Sequence, residues 1–92
     1  MKAVRGSVKG QVQGVGFRFF TRGAAEKLKV SGWVKNVMNG SVEFFAQGNE
    51  NDVDALVTQL KRGPPGSRVE KLFVEKESPD PNFSSFEIKH DY

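Results

Sequence analysis

The sequence has 92 residues, a formal net charge of +3 and no cysteine. This length suits one domain with a single packed core, and we expect residues 1–92 to form it. The absence of cysteine excludes disulfides, thiol nucleophiles and zinc sites that are built on thiolates. No segment approaches membrane-spanning length and residues 1–5 lack the apolar run of a signal peptide, so we expect a cytoplasmic protein.

Positive charge is concentrated in the first part of the chain. Residues 1–36 contain eight Lys or Arg and one acidic residue, Glu26, whereas acidic side chains are in excess in residues 37–92. Such a distribution raises the local concentration of anionic ligands near the basic part. Charge alone does not distinguish a ligand site from a solvated basic surface, so the interpretation depends on the motifs within residues 1–36.

The first half of the chain predicts a strand, a helix and a β-hairpin. Apolar and polar residues alternate in the segment 4–13, as in a strand with one buried face. The helix is predicted from apolar residues at three- and four-residue spacing, namely Phe17, Phe20, Ala24 and Leu28. Two short β-type runs, residues 33–38 and 41–47, are joined by Asn39-Gly40, a dipeptide that strongly favours a hairpin.

The second half predicts another helix and two further strands. Asn49 is a suitable N-terminal cap, Gly63-Pro64 ends the helical pattern, and residues 69–77 and 83–89 are β-type. The resulting order, β-α-β-β-α-β with an additional C-terminal strand, predicts an α+β fold, the ferredoxin-like two-layer α/β sandwich. We expect an antiparallel sheet with both helices on one face and with the first and third strands in the centre.

The segment Gly10-Gln-Val-Gln-Gly-Val-Gly-Phe-Arg18 is a glycine-rich turn between the first strand and the first helix. Glycine permits left-handed φ angles and close approaches, so such a turn can aim several backbone N–H groups at one anion. The helix N-terminus adds partial positive charge, and the Arg18 guanidinium offers a planar set of donors that matches phosphate oxygens. The segment therefore predicts a phosphate-binding site formed by Gly14, Val15, Gly16, Phe17 and Arg18.

Two nucleotide-binding motifs are excluded for this turn. Gly14 and Gly16 begin a dinucleotide-binding pattern, but Phe19 occupies the position of its third Gly or Ala. No Gly-Lys-Ser or Gly-Lys-Thr follows, so the turn is not a nucleotide P-loop either.

Asn36 is the second candidate residue, and the pattern leaves two interpretations open. It falls inside the predicted strand 33–38, where an asparagine is intrinsically disfavoured. Its amide could stabilise the Asn39-Gly40 hairpin, or it could orient a water molecule beside the bound anion. An amide both donates and accepts hydrogen bonds, which suits orienting a nucleophile but not removing its proton.

The available side chains limit the reaction that this site could catalyse. There is no cysteine, His90 lies near the C-terminus, and the acidic residues within 50–54 are explained by stabilisation of a helix start, so we expect no metal and no cofactor. Without a covalent nucleophile, a metal or an obvious general acid, only an activated phosphate compound would react. An acyl phosphate meets this condition, because its carboxylate leaving group, with a conjugate-acid pKa of about 4, departs unprotonated.

The sequence resembles the acylphosphatase family over nearly its whole length. The resemblance rests on the segments Gly10–Arg18, Gly32-Trp-Val-Lys-Asn36, Asn39-Gly-Ser-Val-Glu43, Gly63-Pro64 and Phe86-Glu-Ile88. It implies a metal-independent hydrolase that splits acyl phosphates into a carboxylate and inorganic phosphate. It also implies that Arg18 and the backbone amides of residues 15–18 bind the phosphoryl group and that Asn36 orients the attacking water. Arg18 and Asn36 are therefore the predicted catalytic residues.

Three positions differ from the usual family pattern. Lys29 follows Leu28 where many members have glycine, so we expect Lys29 to adopt a positive φ at a cost of about 1 kcal/mol. Lys35 replaces a frequent arginine, and Asn39 replaces a frequent aspartate before the hairpin glycine. None of the three is a predicted catalytic residue, so these differences concern stability more than activity.

Two kinds of non-catalytic protein share features with this sequence. An RNA-binding module of the recognition-domain type has the same order of elements, but it requires stacking aromatic residues on both central strands, and the segment 4–13 has none. A non-catalytic anion-sensing module is less well excluded.

For the enzyme, the expected partners are a small-molecule acyl phosphate and inorganic phosphate as product, with no nucleic acid and no membrane. The expected state is a monomer.

Overall fold

The computed structural model describes residues 1–90, which form two helices and five strands. In chain order these are β1 (Lys2–Gln11), α1 (Phe17–Lys27), β2 (Ser31–Asn36), β3 (Val42–Gly48), α2 (Glu50–Arg62), β4 (Arg68–Lys76) and β5 (Phe86–Lys89). The predicted order of elements is confirmed. Across this part of the chain, neither helix combines the length and the apolar composition that crossing a bilayer requires.

The sheet has the strand order β4-β1-β3-β2-β5, so β1 and β3 lie in its interior as predicted. β1 pairs with β3 and β4, and β3 pairs with β2, in antiparallel fashion, whereas β5 pairs with β2 in parallel. The prediction of an entirely antiparallel sheet is therefore wrong at this edge. β4 ends at the end of the sheet where β2 begins. The chain then crosses to the other edge of the sheet, so β5 starts near the start of β2 and runs in the same direction.

Both helices pack on one face of the sheet. The main core cluster joins buried residues of the strands to buried residues of both helices, among them Val8, Val34, Phe44, Ala25 and Leu56. A smaller cluster consists of Ala3, Trp33 and Phe45, with Phe83 packed against it. Side chains alternate between the two faces of a strand, so Val34 marks the helix-covered face of the sheet and Trp33 marks the opposite, open face.

The end of α1 is a Schellman motif with a lysine at its left-handed position. The N–H of Lys29 bonds to the Glu26 carbonyl at 3.2 Å, and the N–H of Val30 bonds to the Ala25 carbonyl at 2.9 Å. Lys29 has a φ of 58° and is the one non-glycine residue with positive φ in residues 1–90. The predicted conformation of Lys29 is confirmed.

The strand boundaries differ from the predicted ones. β1 and β2 each lie two residues earlier than predicted, β5 begins three residues later, and β3 and β4 are shifted by one residue. At β2 and β5 the cause is a turn hydrogen bond. β2 covers residues 31–36 instead of 33–38, since Val37 already belongs to a turn that its carbonyl closes with the Gly40 N–H at 2.9 Å. β5 begins at Phe86 instead of residue 83, since the Phe83 N–H bonds to the Asp80 carbonyl at 3.3 Å.

The second helix begins and ends as predicted. The Asn49 side chain accepts a hydrogen bond of 3.1 Å from the Asn51 N–H, and Glu50 and Asp52 lie in the first turn. Gly63, with a φ of 71°, ends the helix. The start of α2 is therefore both capped and electrostatically balanced by the protein itself.

Candidate active site

The central part of the glycine-rich turn, residues 12–16, connects the end of β1 to the start of α1. Gly14 has a φ of 74° and Gly16 has a φ of 77°, both in the left-handed region. A Cβ added at either position would meet no other atom within 4 Å, so the backbone angle and not the available space requires glycine there. The sequence predicted a turn here because glycine permits left-handed φ angles, and both glycines adopt such angles.

The N-terminus of α1, unlike that of α2, carries no protein cap. Gly16 is the cap residue and makes no side-chain hydrogen bond, no acidic residue lies in the first turn, and the first helical bond joins the Phe20 N–H to the Gly16 carbonyl at 2.9 Å. From Gly14 to Phe19, no backbone N–H donates to an acceptor within residues 1–90. A run of unpaired N–H groups at the positive end of a helix is suited to an anion.

Arg18 is half-buried in the first turn of α1. The ion pairs in the described part of the chain join Lys2 to Asp54 and Arg5 to Glu43, so no carboxylate of residues 1–90 forms an ion pair with Arg18. A cation near the positive end of a helix costs roughly 0.3–1 kcal/mol, and a bound anion would offset this cost. The position of Arg18 is thus explained by anion binding better than by helix stability.

Asn36 is the last residue of β2, where it pairs with Val42. The prediction that it lies inside the strand is wrong, so low strand propensity is no longer an argument about its role. Asn36 shares the helix-covered face with Val34, because it lies two residues further along the strand. Since β1 and β2 both run antiparallel to β3, the glycine-rich turn and Asn36 lie at the same end of the sheet.

The β2–β3 hairpin is stabilised by Asn39. The Asn39 Oδ1 accepts hydrogen bonds from the N–H and the Oγ–H of Ser41 at 2.9 Å and 2.6 Å. Gly40 has a φ of 93°, whereas the φ of Asn39 is not positive, although asparagine tolerates positive values. The Asn36 amide makes no side-chain hydrogen bond within residues 1–90, so the hairpin role that the sequence left open for Asn36 belongs to Asn39.

The side chain of Gln13 has a contact that sequence analysis missed. Its Nε2 donates hydrogen bonds to the carbonyls of Val37 at 2.7 Å and Ser41 at 2.9 Å. These bonds tie the glycine-rich turn to the hairpin that follows Asn36. The sequence marks Gln13 only as part of the turn, because no local pattern indicates a partner so distant along the chain.

The acidic residue Asp54 of α2 has a structural partner away from the glycine-rich turn. Asp54 bonds to the Lys2 Nζ at 2.7 Å, at the end of the sheet opposite the glycine-rich turn, and this hydrogen bond raises the pKa of Lys2. His90 is exposed beyond the end of β5. Within residues 1–90, no group of three or more His, Cys, Asp or Glu side chains is arranged to hold a metal ion.

The open face of the sheet lacks the exposed rings of an RNA-recognition domain. Trp33 and Phe45 are only 8% and 5% exposed. The Lys89 Nζ lies 4.6 Å from the centroid of the Trp33 ring, and the Arg5 guanidinium lies 5.5 Å from it. The exposed Phe73 belongs to the edge strand β4 and not to a central strand. Base stacking on both central strands therefore has no platform here.

These features define a class of protein, the two-layer α+β sandwich with a glycine-rich turn suited to a phosphate group at one end of its sheet. The family model described as Acylphosphatase matches residues 4–88. The acylphosphatase of Oceanobacillus iheyensis is 42% identical over 91 residues, which cover 98% of this chain and 100% of that protein. The chain belongs to the acylphosphatase family.

Solved structures agree with this assignment. The crystal structure of acylphosphatase from Bacillus subtilis superimposes with a TM-score of 0.92 at 40% identity, covering 97% of this chain and 99% of that one. An acylphosphatase structure from Coxiella burnetii gives a TM-score of 0.91 at 35% identity, with coverages of 96% and 92%. The chain is an acylphosphatase hydrolase, and a non-catalytic anion-sensing or RNA-binding module is not favoured.

Proposed function

We propose that this chain hydrolyses acyl phosphates to a carboxylate and inorganic phosphate with no metal ion and no cofactor. The observation that carries the proposal is the run of backbone N–H groups from Gly14 to Phe19, which have no protein acceptor within residues 1–90 and which include that of Arg18. In a folded protein such donors are normally paired, so an unpaired run beside a cation favours an anionic ligand.

The phosphoryl group of the substrate is bound by the glycine-rich turn and by Arg18. The N–H groups of Gly14, Val15, Gly16 and Phe17 contact its oxygens together with the N–H and the guanidinium of Arg18. The left-handed angles of Gly14 and Gly16 set the direction of these donors before the substrate arrives. Donors that are already in place stabilise the charge of the transition state without a further reorganisation cost.

The attacking water is oriented by the Asn36 amide. The water oxygen forms a bond to phosphorus while the bond between phosphorus and the acyl oxygen breaks. The electron pair of the broken bond leaves with the carboxylate. The protons of the water pass to the product phosphate and to solvent. The leaving group needs no general acid, because its conjugate acid has a pKa of about 4. Orientation and electrostatic stabilisation therefore supply the acceleration.

The proposal extends to the setting in which the enzyme works. Residues 1–92 act as one domain, as a monomer in the cytoplasm, on a small-molecule substrate and without a nucleic-acid or membrane partner. The low exposure of Trp33 and Phe45 supports the exclusion of nucleic acid, and the match of the family model to residues 4–88 supports a single domain.

The test is a comparison of benzoyl phosphate with 4-nitrophenyl phosphate, each assayed with and without a chelator such as EDTA. We expect hydrolysis of the acyl phosphate alone, because the nitrophenolate leaving group of the ester is more basic than a carboxylate and departs less readily. Equal hydrolysis of both compounds, or of neither, would contradict the proposed reaction. Loss of benzoyl phosphate hydrolysis in the chelator would contradict metal independence.

A further inference from the structure

Two exposed apolar side chains lie next to the proposed catalytic residues. In residues 1–90 the exposed large hydrophobic residues are Met1, Phe19, Met38, Phe73 and Val74. Phe19, which is 62% exposed, directly follows Arg18, and Met38, which is 81% exposed, comes two residues after Asn36. Isolated apolar residues on a surface are normal, but two of them at the site end of the sheet need an explanation.

Phe19 lies in the first turn of α1, and its direction follows from helix geometry. Side chains of a helix lean towards its N-terminus, so the ring of Phe19 covers the side of the helix that precedes it, where the glycine-rich turn lies. The Arg22 guanidinium is 5.4 Å from the centroid of this ring. This cation–π contact restrains the ring. Phe19 therefore presents an apolar surface of fixed position beside the phosphoryl site.

Met38 is held at the same end of the sheet by the hairpin. The carbonyl of the preceding residue, Val37, accepts hydrogen bonds from the Gln13 Nε2 at 2.7 Å and from the Gly40 N–H at 2.9 Å. The backbone of Met38 is therefore fixed near the glycine-rich turn, while its side chain extends into solvent. An unbranched thioether side chain adapts to apolar groups of different shapes.

We propose that Phe19 and Met38 form an apolar subsite that binds the acyl group of the substrate. This inference rests on the proposed function, because it takes the phosphoryl group to be bound at the glycine-rich turn. The rest of an acyl phosphate must then project outwards from the turn, between the helix start and the hairpin. The subsite selects acyl phosphates with aromatic or longer aliphatic acyl groups over acetyl phosphate.

The subsite acts on binding more than on chemistry. Contacts to the far end of the acyl group are the same in the ground state and in the transition state, so they lower KM and leave kcat nearly constant. Burial of one methylene is worth at most about a fourfold change in affinity. The side chains are open to solvent on one side, so we expect about twofold to threefold for each methylene that contacts them.

The first experiment measures kcat and KM of the unmodified chain for acetyl, butyryl, hexanoyl and benzoyl phosphate. We expect KM to fall along the aliphatic series and to be low for benzoyl phosphate, at nearly constant kcat. An acyl phosphate with a terminal carboxylate, such as succinyl phosphate, serves as a comparison. A preference for this anionic substrate over butyryl phosphate would show that Arg22 binds the acyl group through its charge, and it would overturn the apolar subsite.

The second experiment compares Phe19→Ala and Met38→Ala with the matched control Phe73→Ala, whose ring is 53% exposed but lies on β4. The quantity measured is the ratio of kcat/KM for hexanoyl phosphate to that for acetyl phosphate. We expect this ratio to fall roughly tenfold when Phe19 is truncated, to fall severalfold for Met38→Ala, and to stay constant in the control. Thermal unfolding of each variant is measured in parallel.

The outcomes separate this inference from the proposed function. If the unmodified chain hydrolyses acetyl phosphate but shows no dependence on acyl length, the subsite is wrong and the proposed reaction stands. A variant that loses activity equally on both substrates shows a general effect, which also contradicts the subsite. If the unmodified chain hydrolyses no acyl phosphate at all, the proposed function itself fails.

Discussion

The side-chain amide of Gln13 donates a hydrogen bond of 2.7 Å to the main-chain carbonyl of Val37, although the two residues are 24 positions apart in the chain. A second bond from the same nitrogen reaches the Ser41 carbonyl at 2.9 Å. Gln13 belongs to the glycine-rich turn, and the two carbonyls belong to the hairpin that begins after Asn36. One amide group therefore joins the two segments that carry the proposed catalytic residues.

Replacement of Gln13 by leucine should disturb the relative position of Arg18 and Asn36. The change keeps the approximate size of the side chain but removes both hydrogen bonds. The Val37 and Ser41 carbonyls still accept from the N–H groups of Gly40 and Val37, so we expect a loss of stability of about 0.5–1.5 kcal/mol for each bond removed. We expect kcat for benzoyl phosphate to fall by about tenfold or more, since small displacements of reacting groups are costly. Amide hydrogen exchange of Gly40, whose N–H shares the Val37 carbonyl, should become faster.

The matched control for this change is Gln11→Leu, because Gln11 is an exposed glutamine at the end of β1. Kinetics are measured at a temperature where both variants are folded. Unchanged kcat in Gln13→Leu, with lower thermal stability alone, would show that the bonds stabilise the hairpin without positioning the site.

Arg18 should be required for binding and for stabilising the charge of the transition state. Arg18→Ala is expected to lower kcat/KM for benzoyl phosphate by about two orders of magnitude or more. Arg18→Lys should restore little of this loss, because an ammonium group lacks the planar fork of donors. Steady-state kinetics and the Kd for inorganic phosphate measure the effect, with Arg62→Ala at the end of α2 as the control. Near-normal turnover by Arg18→Ala would remove Arg18 from the mechanism.

Asn36 should act on the water and not on the phosphoryl group. We expect Asn36→Ala to abolish measurable turnover while the Kd for inorganic phosphate changes little, because the donors of the glycine-rich turn remain. Calorimetric titration with phosphate and the benzoyl phosphate assay measure the two quantities. Asn51→Ala, an exposed asparagine of α2, is the control. A parallel loss of turnover and phosphate affinity would make Asn36 a structural residue.

Lys29→Gly should stabilise the protein without affecting catalysis. Lys29 has a φ of 58° at the end of α1, a conformation that costs a non-glycine residue about 1 kcal/mol. Relief of this cost should raise the free energy of unfolding by up to about 1 kcal/mol, which corresponds to a Tm increase of roughly 4–8 °C for a domain of this size. Denaturant and thermal unfolding measure the change.

The control for Lys29 is Lys27→Gly, which places the same residue inside the last turn of α1. There the free energy of unfolding should fall by roughly 1 kcal/mol, because glycine lowers helix propensity. If both substitutions change stability in the same direction, the left-handed conformation is not the source of the effect.

The features that the sequence predicted correctly are those that depend on a few neighbouring residues. Gly14 and Gly16 have positive φ angles, and Asn49 caps a helix, as their residue types and neighbours indicate. Lys29 also has a positive φ, as the resemblance to family members with glycine at this position implied. The same reasoning gave a wrong position for Asn36. Its position in the chain indicated the interior of a strand, yet the hairpin hydrogen bonds end β2 at this residue.

By itself, the sequence determined the order of the elements, the glycine-rich turn before Arg18 and the resemblance to acylphosphatases, because all three follow from local pattern and spacing. Only the tertiary structure decided the parallel direction of β5, the partners of Gln13 and the shared end of the sheet for Arg18 and Asn36. These depend on where the chain arrives after crossing the sheet and on which hairpin carbonyls lie within reach of the Gln13 side chain. No run of neighbouring residues carries that information, since each such contact joins segments that are brought together only by folding.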